Sequence, residues 1–231
     1  MGWKKRKKCV DGRLPDCQNF DTHGSNQTTM NTKSILLAAV VAAVGAVSGA
    51  AQVTSQNIVG YIRLSLTPGY NLVANQLNNG NNAIGTVLNA PENTDVFKWL
   101  GSSYALSSLV DGVWSDPALT LSPGEGFFIR VDAAATVTLI GEVSLTNTKN
   151  LSAGFSLVSI PLPLAGSITD AAVGNFPAAE NDDVYQWNGS GFTLNSFVDA
   201  AWSNGSAPTV RIGEGFFING SARTYTRNFS L

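Results

Sequence analysis

Six carboxylates occupy matching places in two stretches of this 231-residue chain: Asp95, Asp111 and Glu125, then Asp183, Asp199 and Glu214. Two carboxyl groups about 5 Å apart are enough for retaining glycoside hydrolysis, and no histidine is needed. Their duplication argues against that chemistry. A catalytic pair is usually unique, whereas residues kept in both copies of a pattern more often maintain its fold. The expectation is therefore no catalytic residue and no cofactor, with a glycoside hydrolase as the least favoured reading.

Binding chemistry has better candidates. Trp114 and Trp202 follow Asp111-Gly112-Val113 and Asp199-Ala200-Ala201 at loop edges, where an indole could stack on a sugar ring. With Asp111 and Asp199 they are the candidate binding residues. Trp99 and Trp187 alternate with Phe97 and Tyr185, a pattern expected of a strand face turned into the core. Gly124-Glu125-Gly126-Phe127-Phe128-Ile129 returns as Gly213-Glu214-Gly215-Phe216-Phe217-Ile218. A dinucleotide loop would need a third glycine and a following helix, but apolar strand residues follow here. The glycines are expected to turn a loop into a strand at positive φ or a bulge, with Glu125 and Glu214 accepting hydrogen bonds from loop backbone. Asp182-Asp183 and Asn78-Asn79-Gly80-Asn81-Asn82 could hold calcium, yet neither has the D-x-D-x-D-G spacing, so no metal site is expected.

These residues sit in a repeated frame. Gly69-Tyr70-Asn71-Leu72-Val73 matches Gly154-Phe155-Ser156-Leu157-Val158, and Glu92 to Trp99 matches Glu180 to Trp187, always in the same order. Short β-branched and aromatic runs are punctuated by Pro68-Gly69, Asn79-Gly80, Asp111-Gly112 and Asn188-Gly189, which predicts strands joined by tight turns. The fold class expected is all-β: two tandem, similar β-sandwich or barrel-like modules over 53–143 and 144–231. Ala83 to Leu88 and Ile168 to Val173 are expected to form one short helix in each.

The chain before residue 53 differs in kind. It holds seven of the fourteen basic residues, both cysteines, both methionines and the only histidine. Residues 30–51 read as a signal peptide: Lys33, then an Ala/Val-rich apolar run from Ile35 to Val47, then small residues. The run is shorter than the roughly 20 apolar residues of a membrane span. Residues 1–29, with Lys4-Lys5-Arg6-Lys7-Lys8, read as a mis-assigned start or a disordered extension before Met30. Beyond Ala51 stand seven Lys/Arg against thirteen Asp/Glu, without Cys or His. That excludes a thiol nucleophile, a Ser-His-Asp triad and a disulfide there, and an acidic balance suits no nucleic-acid partner. The membrane enters only through the signal peptide before cleavage.

Taken together, the G-aromatic-x-L-V, D-V-aromatic-x-W and G-E-G-F-F-I blocks resemble a tandem extracellular module of secreted proteins from Verrucomicrobia and related bacteria. The resemblance covers residues 53–231. It implies a secreted or cell-surface bacterial protein and transfers no functional residue. The function expected is an exported, non-enzymatic structural or adhesive protein that meets glycan or other envelope and matrix components. The alternative is a carbohydrate-binding module using exposed tryptophans.

Overall fold

The computed structural model describes residues 58–229. The basic run, the apolar segment and both cysteines therefore lie outside the described residues, as do the expectations of export and cleavage resting on them. Alternating residues produce strands throughout. The first half holds β1 (Ile58–Leu66), β2 (Gly69–Asn75), β3 (Leu88–Asn89), β4 (Asp95–Trp99), β5 (Tyr104–Val110), β6 (Val113–Trp114), β7 (Glu125–Val131) and β8 (Ala135–Val143). The second holds β9 (Thr146–Leu151), β10 (Gly154–Val158), β11 (Gly166–Ser167), β12 (Asp182–Trp187), β13 (Phe192–Val198), β14 (Ala201–Trp202), β15 (Thr209–Val210), β16 (Phe216–Gly220) and β17 (Arg223–Asn228). The protein is all-β, and its sheets are open rather than closed into barrels.

One ten-stranded antiparallel sheet runs through both halves in the order β14-β13-β12-β16-β10-β7-β4-β5-β6, with β2 also paired to β7. Shorter sheets cover one of its faces. In the first half, Ile62, Leu64 and Leu66 of β1 and Val137 and Leu139 of β8 pack with Val73, Val96, Phe127 and Ile129 of the large sheet. In the second, Leu151 of β9 and Tyr225 of β17 pack with Val158, Val184, Phe216 and Ile218. Each such side chain, removed from water, contributes about 1.5–3 kcal/mol. The polar stretch after Ser144 is not a loose linker, because Thr146 to Leu151 pairs along its length with Asn228 to Arg223.

The short helices differ from expectation. Ile84–Val87 makes a single turn, α1. At Ile168 to Val173 the chain forms turns instead. There Asp170 accepts the amides of both Val173 and Asn175 on its carbonyl and that of Ala172 on its carboxylate, and Asn175 at φ 51° ends the run. Bonds that converge on one residue close a loop and leave nothing to propagate as helix.

Candidate functional site

The Gly-Glu-Gly motifs lie where the two sequence repeats meet. Val73 at the end of β2 bridges to Glu214, and Val158 at the end of β10 bridges to Glu125. The Ala74 amide donates to the Gly213 carbonyl at 2.8 Å, and the Ser159 amide donates to the Gly124 carbonyl at 3.1 Å. Each repeat thus contributes one strand end to the other's motif, related by an approximate two-fold. Gly124 and Gly213 adopt φ of 76° and 74°, the left-handed geometry expected of them. Gly126 and Gly215 serve close approach instead: a Cβ on Gly215 would stand 2.7 Å from the Val73 carbonyl oxygen and 3.3 Å from the Gly126 Cα. The glutamates accept loop amides, Ser122 to Glu125 at 2.9 Å and Arg211 to Glu214 at 3.0 Å. Lys98 pairs with Glu125 at 3.0 Å and donates to the Thr120 carbonyl. Gln186 holds the matching place by donating to Glu214 and the Thr209 carbonyl. Lys149 packs against Gly124, and burial lowers its pKa even though Glu125 works to raise it.

This seam carries an aromatic surface on the face of the large sheet opposite the two cores. Leu72, Phe128, Leu157 and Phe217 form its buried floor, with Phe97, Trp99, Tyr185 and Trp187 packed half-buried against them. Tyr70, Tyr104, Phe155 and Phe192 stand exposed around the rim. The strand register explains the shared face, since Leu72 opposes Phe128, Phe128 opposes Phe97, and Phe97 opposes Leu106. The tryptophans cross the seam: Trp99 Nε1 donates to the Phe155 carbonyl and Trp187 Nε1 to the Tyr70 carbonyl, each at 3.1 Å. Trp99 meets Phe217 edge-on at 5.6 Å between ring centroids, and Trp187 meets Phe128 at 5.5 Å.

Two cups result. One, of about 310 Å³, is lined by Tyr70, Phe97, Tyr104, Phe128 and Trp187. The other, of about 320 Å³, is lined by Phe155, Tyr185, Phe192, Phe217 and Trp99. Each takes four aromatics from one repeat and its tryptophan from the other. Volumes of this order lie at the small end of ligand sites, and apolar patches of this kind mark interaction surfaces. No family model, curated protein or solved structure matches this chain.

The tryptophans expected in the core line the aromatic face, and those expected to be exposed pack on the cores. Trp114 is buried in the first core and Trp202 packs half-buried on the second. The reason is register: Asp111-Gly112 and Asp199-Ala200 are two-residue turns with positive φ at both positions, so Trp114 falls opposite Leu109 and Trp202 opposite Phe197. Asp111 and Asp199 are exposed turn residues whose loops are tied by glutamates, with Glu92 accepting the Gly112 amide and Glu180 the Asp199 amide, both at 2.7 Å. They belong to the hairpins and do not reach the cups. On β4 the core side is the one carrying Val96, and the Phe97/Trp99 side faces outward.

The other acidic residues are also tied into the frame. Asp95 accepts from Ser108 at 2.6 Å and pairs with Arg130 at 3.0 Å, while Asp183 accepts from Ser196 at 2.5 Å. Asp182 is fully buried against both terminal nitrogens of Arg223, so it does not join Asp183 in a cation site. Asn82 closes the Asn78 to Asn82 loop on itself, accepting the Asn79 amide at 2.8 Å and donating to Asn78 Oδ1 at 2.9 Å. Among the described residues no His, Cys, Asp and Glu cluster has the composition of a metal site.

Proposed function

We propose that this is an exported adhesive protein, two fused copies of one sandwich-like module, whose aromatic face holds carbohydrate. The observation that carries the reading is the pair of cups, each completed by a tryptophan from the opposite repeat. A pyranose ring offers an apolar C–H face and a polar edge. The cups have the complementary form, with aromatic walls and floor and, at one margin, Asp95, Arg130 and Ser108 or Asp183, Asn219 and Ser196. Stacked nucleobases would use the same walls, but their phosphates would meet a described chain richer in acid than base.

The test is a titration of tryptophan emission with soluble polysaccharides, repeated on Trp99→Ala and Trp187→Ala. Binding should shift the emission of the parent and be weakened at least tenfold in one or both variants. A flat response across the panel would overturn the reading. So would a concentration-dependent dimer, abolished by the same substitutions, in a protein that ignores every glycan; the face would then be the seat of a second copy.

A further inference from the structure

The cups share a backbone but differ in chemistry at each equivalent position. Tyr70 and Tyr104 of the first correspond to Phe155 and Phe192 of the second, while Phe97 corresponds to Tyr185. Ring packing is conserved through these exchanges: Tyr70 lies 5.6 Å from Phe97, and Phe155 lies 5.6 Å from Tyr185. What changes is the number and placing of hydroxyl groups. Tyr225 shows how this chain satisfies a buried phenol, by donating to the Gly174 carbonyl. Among the described residues no group bonds the hydroxyls of Tyr70 and Tyr104, two residues exposed at the first rim, and partial burial raises the Tyr104 pKa. Among the aromatics lining the second cup the only hydroxyl belongs to half-buried Tyr185, which also bonds no described group and whose pKa is raised by burial and by Asp183.

The charged margins differ too. Tyr70 is flanked on its strand row by Arg130 and Asp95, whereas Phe155 is flanked by Asn219 and Asp183. Arg130 is already shared by Asp95 at 3.0 Å and Asp132 at 2.8 Å. At this margin two carboxylates against one guanidinium leave no net positive charge for an acidic sugar; Arg63 and Arg211 line the neighbouring pocket that shares Tyr70 and Trp187, on the other side of the cup.

We infer that the duplicated cups have diverged, the Trp187-walled cup being the specific subsite for a neutral pyranose, stacked on its aromatics and hydrogen-bonded at its edge by the Tyr70 and Tyr104 hydroxyls. The Trp99-walled cup presents the same stacking surface without those hydroxyls and holds the ring more weakly. This rests on the carbohydrate reading above and narrows it to one cup and one class of sugar.

Two neutral hydrogen bonds of about 1 kcal/mol each correspond to roughly a tenfold or greater change in affinity. The experiment is calorimetric titration of the full chain with neutral cello-, xylo-, manno- and chito-oligosaccharides, and with oligogalacturonate as the acidic comparator. The parent should bind one neutral series with a single dominant site and ignore oligogalacturonate. Tyr70→Phe/Tyr104→Phe should weaken that site at least tenfold. Phe155→Tyr/Phe192→Tyr should add a second site of comparable strength. If the parent binds no sugar, the carbohydrate reading falls and this inference with it. If the parent binds but the Tyr→Phe pair leaves affinity unchanged, or Trp99→Ala weakens it as much as Trp187→Ala, the divergence is wrong and the carbohydrate reading stands. Tighter binding of oligogalacturonate than of any neutral series would likewise overturn the assignment.

Discussion

Ala200 occupies the second position of its hairpin turn at φ 58°, a place filled in the first repeat by Gly112 at φ 75°. An L-residue in the left-handed region costs about 1–2 kcal/mol through the clash of its Cβ with the backbone carbonyl. Ala200→Gly relieves that cost. It also gives the unfolded chain more freedom, which takes back about 0.5–1 kcal/mol. The turn is exposed, and a Cβ at the matching Gly112 would touch nothing within 4 Å, so no packing is lost. The net expectation is a gain of about 0.5–1 kcal/mol, or about 1–4 °C in Tm for a unit of this size. Gly112→Ala should lose a similar amount, which makes the two substitutions a matched pair read by differential scanning calorimetry and urea titration. A fall in Tm for Ala200→Gly, or indifference of both sites, would refute the view that turn conformation limits stability there. The Glu180 bond to the Asp199 amide should survive, because it involves backbone.

Four other substitutions test the frame that holds the cups. Asp182→Ala strands the Arg223 guanidinium in the second core and should lower urea stability by about 3–5 kcal/mol; a loss below 1 kcal/mol would show that water reaches the pair. Gly215→Ala drives a Cβ onto the Val73 carbonyl and should cost about 1–3 kcal/mol. Gly126→Ala meets mainly the yielding Leu157 side chain and should cost less, so the reverse order in thermal unfolding would contradict the seam geometry. Lys149 has a folded pKa depressed by burial below its ordinary 10.5. The unfolded chain therefore binds more protons between the two values, and stability from this group rises with pH across that window and is lost as pH falls through the folded value. Lys149→Leu, the residue type at Leu64 in the first repeat, should be more stable than the parent at neutral pH, with an advantage that shrinks toward pH 10.5. An advantage constant with pH would show that packing alone is responsible. Comparing variant with parent cancels Tyr225, whose pKa is raised by burial and whose contribution declines as pH climbs beyond 10.

Much of the scaffold is written in local spacing. The Gly-Glu-Gly turns, their positive φ and the amides accepted by Glu125 and Glu214 follow from glycine geometry and from carboxylates beside loop backbone. The strands through Phe97, Trp99, Tyr185 and Trp187 follow from period-two alternation. Alternation says which residues share a face but not which face is covered. On β4 both faces carry apolar residues, and Val96, the smaller, marks the core. The burial of Trp114 is legible in the sequence, since a two-residue Asp-Gly turn fixes its register opposite Leu109, an inward position. The seam is not written in local spacing. The bonds from Trp99 to Phe155 and from Trp187 to Tyr70 join residues 56 and 117 positions apart, a pairing that no local pattern announces.

The exchange of tryptophans across an approximate two-fold also bears on how such a face can change over generations. In a symmetric homodimer every substitution appears in both sites at once, so a residue that helps one ligand and harms another cannot be confined to one of them. Here the symmetry is carried within one chain. Tyr can stand at position 70 while Phe stands at 155, yet neither cup closes without the other repeat's indole. Covalent linkage thus gives each site its own mutational history while keeping both dependent on a single folding event.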